Sequence, residues 1–312
     1  MPTRKGFSGF VYLLWIAAAL TALGVAVILV ENNPTPPLPH TLEPTALQPS
    51  RTPTATLPPP TLPAAQATPN YPTLAPTARQ QKPQVIGYSV AGQPLEVFQF
   101  GQGPIEKMIV AGIHGGYEHN TVLLADELIS YLEIHPEIVP ADETLFILRV
   151  LNPDGLVRSQ GFGGRANDHN VDLNRNFPAN WQSDWPRAGC WDYIPIEGGS
   201  GPASEPETQA LIAFVENHQL TAFISYHSAA LGIFPGGQPP DPASVSLAES
   251  LAAVSSYPYP PIDAGCVFTG QLVDWISDQG IAGVDIELTN HQDSDFEINL
   301  AVLSVFLDWT YP

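Results

Sequence analysis

The sequence predicts an α/β domain built on a mostly parallel or mixed sheet. From residue 84 onward, short runs rich in β-branched and aromatic residues alternate with longer runs of helical periodicity. Residues 1–83 show no such alternation. The polar residues His114, Asn152, His227 and Glu287 fall at or just after the ends of strand-like runs. Open α/β sheets gather their sites at the carboxyl ends of strands, so residues far apart in sequence can meet there.

The chain of 312 residues begins MPTRKG and continues into an apolar run, 7–30, that only Ser8 and Thr21 interrupt and that carries no charge. A helix of roughly 20 apolar residues spans a bilayer core. The run exceeds the roughly 7–15-residue core of a cleavable signal, and Glu31-Asn32-Asn33-Pro34 after it is a poor cleavage site. An uncleaved anchor or signal-anchor is therefore expected over 7–30. Arg4 and Lys5 would keep residues 1–6 in the cytoplasm. This implies a single-pass protein of the cell membrane, with residues 31–312 on the extracytoplasmic side. Residues 31–83 are rich in Pro and Thr, which remove backbone donors and cannot build a core. They read as a disordered, semi-extended stalk.

Residues 84–312 have the length of one domain. The whole chain carries a net charge of −20. The only basic residues after 83 are Lys107, Arg149, Arg158, Arg165, Arg175 and Arg187. Such acidity excludes a nucleic-acid or anionic-lipid binder. Gathering most of these cations between 149 and 187 points instead to an anion bound there. Cys190 and Cys266 both fall in the exported part, where disulfides persist, so one bridge between them is expected.

Strand-like runs cover 85–90 and 95–100, with Ala91-Gly92-Gln93-Pro94 as a turn. A buried strand, 107–113, ends in His114-Gly115-Gly116. Helical periodicity comes next over 120–134, where Leu123, Leu124, Leu128 and Leu132 repeat. A second buried strand, 144–151, ends in Asn152-Pro153-Asp154-Gly155, which reads as a turn. A long Gly/Asn/Trp-rich loop leads to Ser204-Glu205-Pro206-Glu207. The S-x-x-E spacing predicts a capping box for a helix running to about residue 217. A strand over 221–226 precedes His227. Helices are expected over 245–254 and 269–278, a strand over 281–288, and an amphipathic helix over 296–309.

His114 and Glu118 flank two glycines that let the chain turn sharply, so both side chains can face one point. Imidazole nitrogen and carboxylate oxygen are ordinary zinc donors, and His227 at another strand end supplies a third. Two His and one Glu leave a fourth position open, the pattern of a catalytic rather than a structural site. Glu287 lies in an otherwise apolar strand, where a carboxylate is costly unless paired or functional. Next to a metal it is suited to general base work, with Asp285 on the same strand face as a competitor. Asn174 and Arg175 offer donors for a carboxylate, and Arg165 can polarise a carbonyl.

Taken in order, His114 and Glu118, NPDG at 152–155, Arg165, NVDLNRNF at 170–177, SEPET at 204–208, SYHS at 225–228 and IEL at 286–288 resemble the zinc carboxypeptidases of the carboxypeptidase A type. IGYSVAGQPL at 86–95 is similar to that family's first hairpin. The resemblance covers 84–312 and none of the first 83 residues. It implies a three-layer α/β/α sandwich around a mixed, roughly eight-stranded sheet. It implies one zinc ion on His114, Glu118 and His227, Glu287 as base, Arg165 on the scissile carbonyl, and Asn174 with Arg175 on the substrate's terminal carboxylate. Counting along the family pattern from Asp274-Trp275 puts Val273 near the floor of the specificity pocket. The same count puts Cys266 where the family has a substrate-closing tyrosine, leaving Tyr257 or Tyr259 for that contact, or no such contact at all. The family's His-x-x-Glu is one residue longer here, His114-Gly115-Gly116-Tyr117-Glu118, and Glu118 is taken as the ligand because residue 117 is a tyrosine. The domain is also shorter than the digestive members, closer to bacterial enzymes that trim peptidoglycan peptides.

The function this implies is a zinc metallocarboxypeptidase that removes the C-terminal residue of extracytoplasmic peptides. The expected partner is a peptide with a free C-terminal carboxylate, cell-wall peptides included, and a monomer is expected to act alone. Alternatives are an amidase or endopeptidase acting on peptidoglycan stem peptides and an N-acyl amino acid deacylase. A non-enzymatic alternative is a tethered peptide-binding protein, against which the complete ligand set and Glu287 argue.

Overall fold

The computed structural model describes residues 82–185, 196–229, 231–263 and 265–311. All of them fall in one of the chain's two units, Thr73–Pro312. The expected anchor at 7–30, nearly all of the expected stalk, and Cys190 lie outside the described residues. No helix among the described residues is long and apolar enough to cross a membrane.

Seven strands form one sheet among the described residues: β1 Gln84–Tyr88, β2 Pro94–Gly101, β3 Ile105–Val110, β4 Glu143–Leu148, β5 Leu220–Ser228, β6 Ile233–Pro235 and β7 Ala282–Leu288. Their spatial order is β1-β2-β4-β3-β5-β7-β6. The inner strands β4, β3, β5 and β7 run parallel, while β1, β2 and β6 pair antiparallel at the two sides. The mixed α/β sheet expected from the alternation is what forms, with seven strands where about eight were expected.

Six α-helices among the described residues accompany it: α1 His119–Ile134, α2 Pro153–Arg158, α3 Pro206–Glu216, α4 Pro242–Ala252, α5 Leu272–Asp278 and α6 Phe296–Asp308. Successive residues of a strand point to opposite faces, and the inner strands are apolar on both. Ile109 of β3 and Ala111 just beyond it join Leu124, Leu128, Leu247 and Phe306 in one cluster, whereas Met108 and Val110 join Leu211, Phe214, Leu272 and Trp275 in the other. Helices α1, α4 and α6 thus cover one face, and α3 and α5 cover the other. That is the three-layer arrangement, and it explains why the inner strands read as unbroken apolar runs.

Lys107 departs from the pattern. It is fully buried on β3, where its ammonium pairs with Glu143 Oε1 at 2.9 Å and donates to Leu307 O in the last turn of α6. The cation sits at the negative end of that helix and satisfies one of its terminal carbonyls.

Three local readings change. Asn152-Pro153-Asp154-Gly155 is not a plain turn but the start of α2. Asn152 Oδ1 accepts from Gly155 N at 2.9 Å and Pro153 opens the helix, where a missing N–H costs nothing. The capping box at 204–207 does not form. Glu205 is the N-cap and makes no side-chain cap bond, its carboxylate being engaged by Asn167, His169 and Ser204, while Glu207 is drawn inward, accepting from Val90 N at 3.1 Å and Asn167 Nδ2 at 3.2 Å. Strand β6 was not read from the sequence. It has only three residues and ends in a proline.

Candidate metal centre and active site

The parallel strands deliver their carboxyl ends to one edge. His114 follows β3, which neighbours β5; β5 in turn neighbours β7. His227 and Glu287 are register partners on β5 and β7, and Ser225 and Asp285 are the pair two residues earlier. All four side chains therefore share one face of the sheet.

The extra residue between His114 and Glu118 is absorbed by backbone geometry. Gly115 has φ +49°, and a Cβ there would lie 2.7 Å from Gly164 O. A glycine meets both demands at no steric cost. The turn brings Glu118, at the start of α1, back to His114. Glu118 Oε1 lies 2.7 Å from His114 Nδ1, and Oε2 lies 3.2 Å from His227 Nδ1. The two Nδ1 atoms are 3.3 Å apart. All three side chains are at least 95% buried, and they form the group of His, Cys, Asp and Glu residues able to hold a metal ion among the described residues.

These atoms fit zinc. Two donors each about 2.0–2.1 Å from a tetrahedral ion stand about 3.3 Å apart. Each histidine also has its other nitrogen directed to a carboxylate. His114 Nε2 donates to Asp172 Oδ1 at 3.1 Å, and His227 Nε2 lies 3.3 Å from Asp285 Oδ1. A proton held at Nε2 leaves the Nδ1 lone pair for a metal. Asp285, the competing candidate for the base, is thus turned to the back of His227.

Asp172 has a second task. Its Oδ2 accepts from Arg165 Nε at 3.0 Å and faces Nη2 at 2.9 Å. Arg165 reaches on to Glu118 Oε1 at 3.6 Å and lies over the Tyr117 ring. Its loop is pinned from below: Asn152 Nδ2 donates to Arg165 O at 3.0 Å, and Asn167 Oδ1 accepts from the N–H groups of His169 and Val171. Burial alone would raise the Asp172 carboxyl, but Arg165 and His114 outweigh it and hold the group well below the usual carboxylate range. The same holds for Glu118, where His114 and His227 outweigh burial.

Glu287 behaves in the opposite way. Burial first, then the Glu118 charge, pushes it up to about 8. Its Oε2 is buried with no hydrogen-bond partner among the described residues. A divalent cation held by His114, Glu118 and His227 would offset the Glu118 repulsion, lower the pKa of this carboxyl and favour the ionised form that can accept a proton.

One cavity is lined by His114, Glu118, His227, Glu287, Arg165, Asn174 and Arg175 together. Asn174 Oδ1 accepts from Leu272 N at 2.9 Å, and Arg175 Nη1 donates to Asn174 O at 2.7 Å. The Arg175 guanidinium lies over Trp185 and Phe268. Val273 lines the adjoining cavity instead, which shares Phe234, Cys266, Phe268 and Gln271 with the first. Cys266 does line the metal cavity and is disulfide-bonded; the chain's other cysteine, Cys190, lies outside the described residues. Neither candidate tyrosine reaches the metal cavity. Tyr257 is buried, its hydroxyl held by Asp295 and Asn299, and Tyr259 lines the adjoining cavity. Sequence reasoning gave no role to Asp172, Tyr117, Ser228 or His291, all of which sit at or behind the site. Asp172 alone had a signal, its place two residues before Asn174.

Two histidines and a glutamate converging at a strand edge, with a buried carboxylate and arginines around them, define a metal-dependent hydrolase centre on an α/β fold. The chain matches the zinc carboxypeptidase family model over residues 77–297 and belongs to that family of zinc metallopeptidases; zinc is its cofactor. It is 29% identical to murein peptide amidase A of Escherichia coli K12, over 72% of this chain and 88% of that protein. It is 25% identical to gamma-D-glutamyl-L-diamino acid endopeptidase 1 of Lysinibacillus sphaericus, over 72% of this chain and 66% of that one. The structure resembles murein-tripeptide amidase from Escherichia coli O157 with a TM-score of 0.56 at 25% identity, covering 75% of this chain and 95% of the other. Bovine thrombin-activatable fibrinolysis inhibitor shares the fold, with a TM-score of 0.60 at 21% identity over 73% and 89% of the two chains.

Proposed function

We propose that this protein hydrolyses an amide bond in murein stem peptides, on the acyl side of a residue that carries a free carboxylate. The observation that carries the reading is the single cavity joining the two-His, one-Glu cluster to the buried Glu287 and to two arginines. The likeness to murein peptide amidase A over most of its length supports cell-wall peptides as the substrate class. The residues alone put general extracytoplasmic peptides first and murein second; these relatives favour the second.

His114, Glu118 and His227 would hold the zinc, which when bound acts as a Lewis acid toward carbonyl and water. Glu287 takes the proton of the attacking water and delivers it to the leaving amine. Arg165, held in place by Asp172, presents its guanidinium to the carbonyl oxygen as charge develops there. Asn174 and Arg175 hold the carboxylate of the departing residue. Val273 contributes an apolar wall to the adjoining cavity that receives its side chain. The apolar run at 7–30, read from the sequence as an anchor, would put this domain on the extracytoplasmic side, where murein lies.

The test is hydrolysis of stem peptides by the zinc-loaded full-length protein, with the free carboxylate of the leaving residue either intact or amidated. Cleavage is expected only of the intact form, and Glu287→Gln should slow it by about 10²–10⁴-fold. Equal cleavage of both forms would remove the role given to Asn174 and Arg175. Cleavage of ordinary peptides but not stem peptides would return the substrate to the broader carboxypeptidase class.

A further inference from the structure

We infer that His291 is a substrate-binding residue whose Nε2 accepts a hydrogen bond from an N–H group on the acyl side of the scissile bond. The inference rests on the function proposed above and adds a second recognition point to it.

A chain of hydrogen bonds leads to His291, and the polarity of each partner in it is forced. Asn120, fully buried at the start of α1, donates from Nδ2 to Asn290 O at 2.6 Å and to Asp293 O at 3.0 Å. Turning this amide over would set its oxygen against two carbonyl oxygens, so Nδ2 must face them and Oδ1 must face the other way. There Oδ1 accepts from Ser228 Oγ at 3.0 Å. A serine has one hydroxyl proton, and Asn120 takes it. Ser228 Oγ also lies 3.0 Å from His291 Nδ1, and toward that atom it can only accept. His291 therefore carries a proton on Nδ1. In the neutral ring, Nε2 is left as the lone-pair acceptor.

That acceptor belongs to the reaction cavity. His291 lines it together with Glu118 and Glu287, and its ring packs against Tyr117 with centroids 4.9 Å apart. Among the described residues Ser228 is its one hydrogen-bonding partner. Burial, only partly countered by the Glu118 charge, lowers its pKa and favours the neutral ring. The flank is informative too. Tyr117 stacks on Phe162, packs tilted against His291 and lies under Arg165, whereas Arg175 lies over Trp185 and Phe268. With the departing residue on the Arg175 flank and the scissile carbonyl at Arg165, the flank of Tyr117 and His291 receives the acyl part. A lone pair there selects an N–H, which every acyl residue of a peptide carries on its own amide.

The experiment compares a stem peptide with its analogue in which that amide N–H is replaced by an ester oxygen. Binding by calorimetry and kcat/KM are measured for the zinc-loaded full-length protein and for His291→Phe, which keeps a ring against Tyr117. Zinc content is measured for both. The unmodified protein should favour the amide about three- to tenfold. His291→Phe should bind amide and ester alike, with ester binding and zinc content unchanged. An unaltered preference in His291→Phe, or no preference in the unmodified protein, overturns the inference. If His291→Phe does not fold, His291→Asn, too short to reach the substrate from the same backbone, is read in the same way. The binding ratio needs no turnover, so failure to cleave would sink the proposed hydrolysis while the ratio still decided the role of His291.

Discussion

Asp172 holds two parts of the site at once, and Asp172→Asn separates them. The side chain is fully buried. Its Oδ1 accepts from His114 Nε2 at 3.1 Å and from Asn174 N at 2.9 Å; its Oδ2 accepts from Arg165 Nε at 3.0 Å and faces Nη2 at 2.9 Å. Four donors thus meet two acceptor oxygens, and an asparagine of the same shape offers only one. If its NH₂ faces His114, Nε2 must become the acceptor and the ring proton moves to Nδ1, the atom that faces Glu118 and His227. Zinc affinity should then fall by about 10–100-fold, the usual cost of losing such an outer partner, equivalent to about 1.4–2.7 kcal/mol. If the NH₂ faces Arg165 instead, the guanidinium loses a charged partner and swings from the carbonyl position. The rate should then fall by about 10²–10³-fold with zinc affinity nearly intact. The assay is zinc competition against a chromogenic chelator, with kcat/KM measured on the same preparation. At least one quantity should drop tenfold or more. A folded Asp172→Asn protein with both within about twofold of the original would refute the positioning role assigned to this carboxylate.

Two further outcomes depend on packing. Glu143→Ala leaves the Lys107 ammonium buried without its carboxylate and should cost about 3–5 kcal/mol in chemical denaturation, whereas replacing both residues by Met and Leu should recover most of it. Gly164→Ala would drive a Cβ into Ser159 O, forcing the loop that carries Arg165 to move. Its kcat/KM should fall more than tenfold while zinc content stays the same, and loss of zinc instead would show that the loop matters through the ligands.

The major elements were legible because their patterns are local. Leu124, Leu128 and Leu132 bury one helical stripe in α1, and the two-faced apolar runs of β3, β4, β5 and β7 mark strands covered on both sides. The misreadings came where one residue type serves two geometries. Asn-Pro-Asp-Gly suits a turn as well as a helix start, and only the path taken after Gly155 distinguishes them. Ser204 and Glu207 have the spacing of a reciprocal cap, but a buried carboxylate goes where donors are, and Val90 and Asn167 lie outside any local window. Counting along the family pattern cannot find the substrate-closing tyrosine, because Asp295 and Asn299, distant in sequence, already hold the Tyr257 hydroxyl.

By itself the sequence determined the α/β class and offered the residues able to bind metal and the carboxylate and arginines able to serve it, through strand-end position for His114, His227 and Glu287, and through residue chemistry and the order of the family motifs for Glu118, Arg165 and Arg175. The tertiary structure decided how those groups are oriented. The 3.3 Å separation of two Nδ1 atoms, the turning of Asp285 behind His227, the double duty of Asp172 and the polarity of the relay ending at His291 all depend on contacts between distant segments. A hydrogen bond has a direction as well as partners, and that direction is set only when the fold has brought every competing donor and acceptor together.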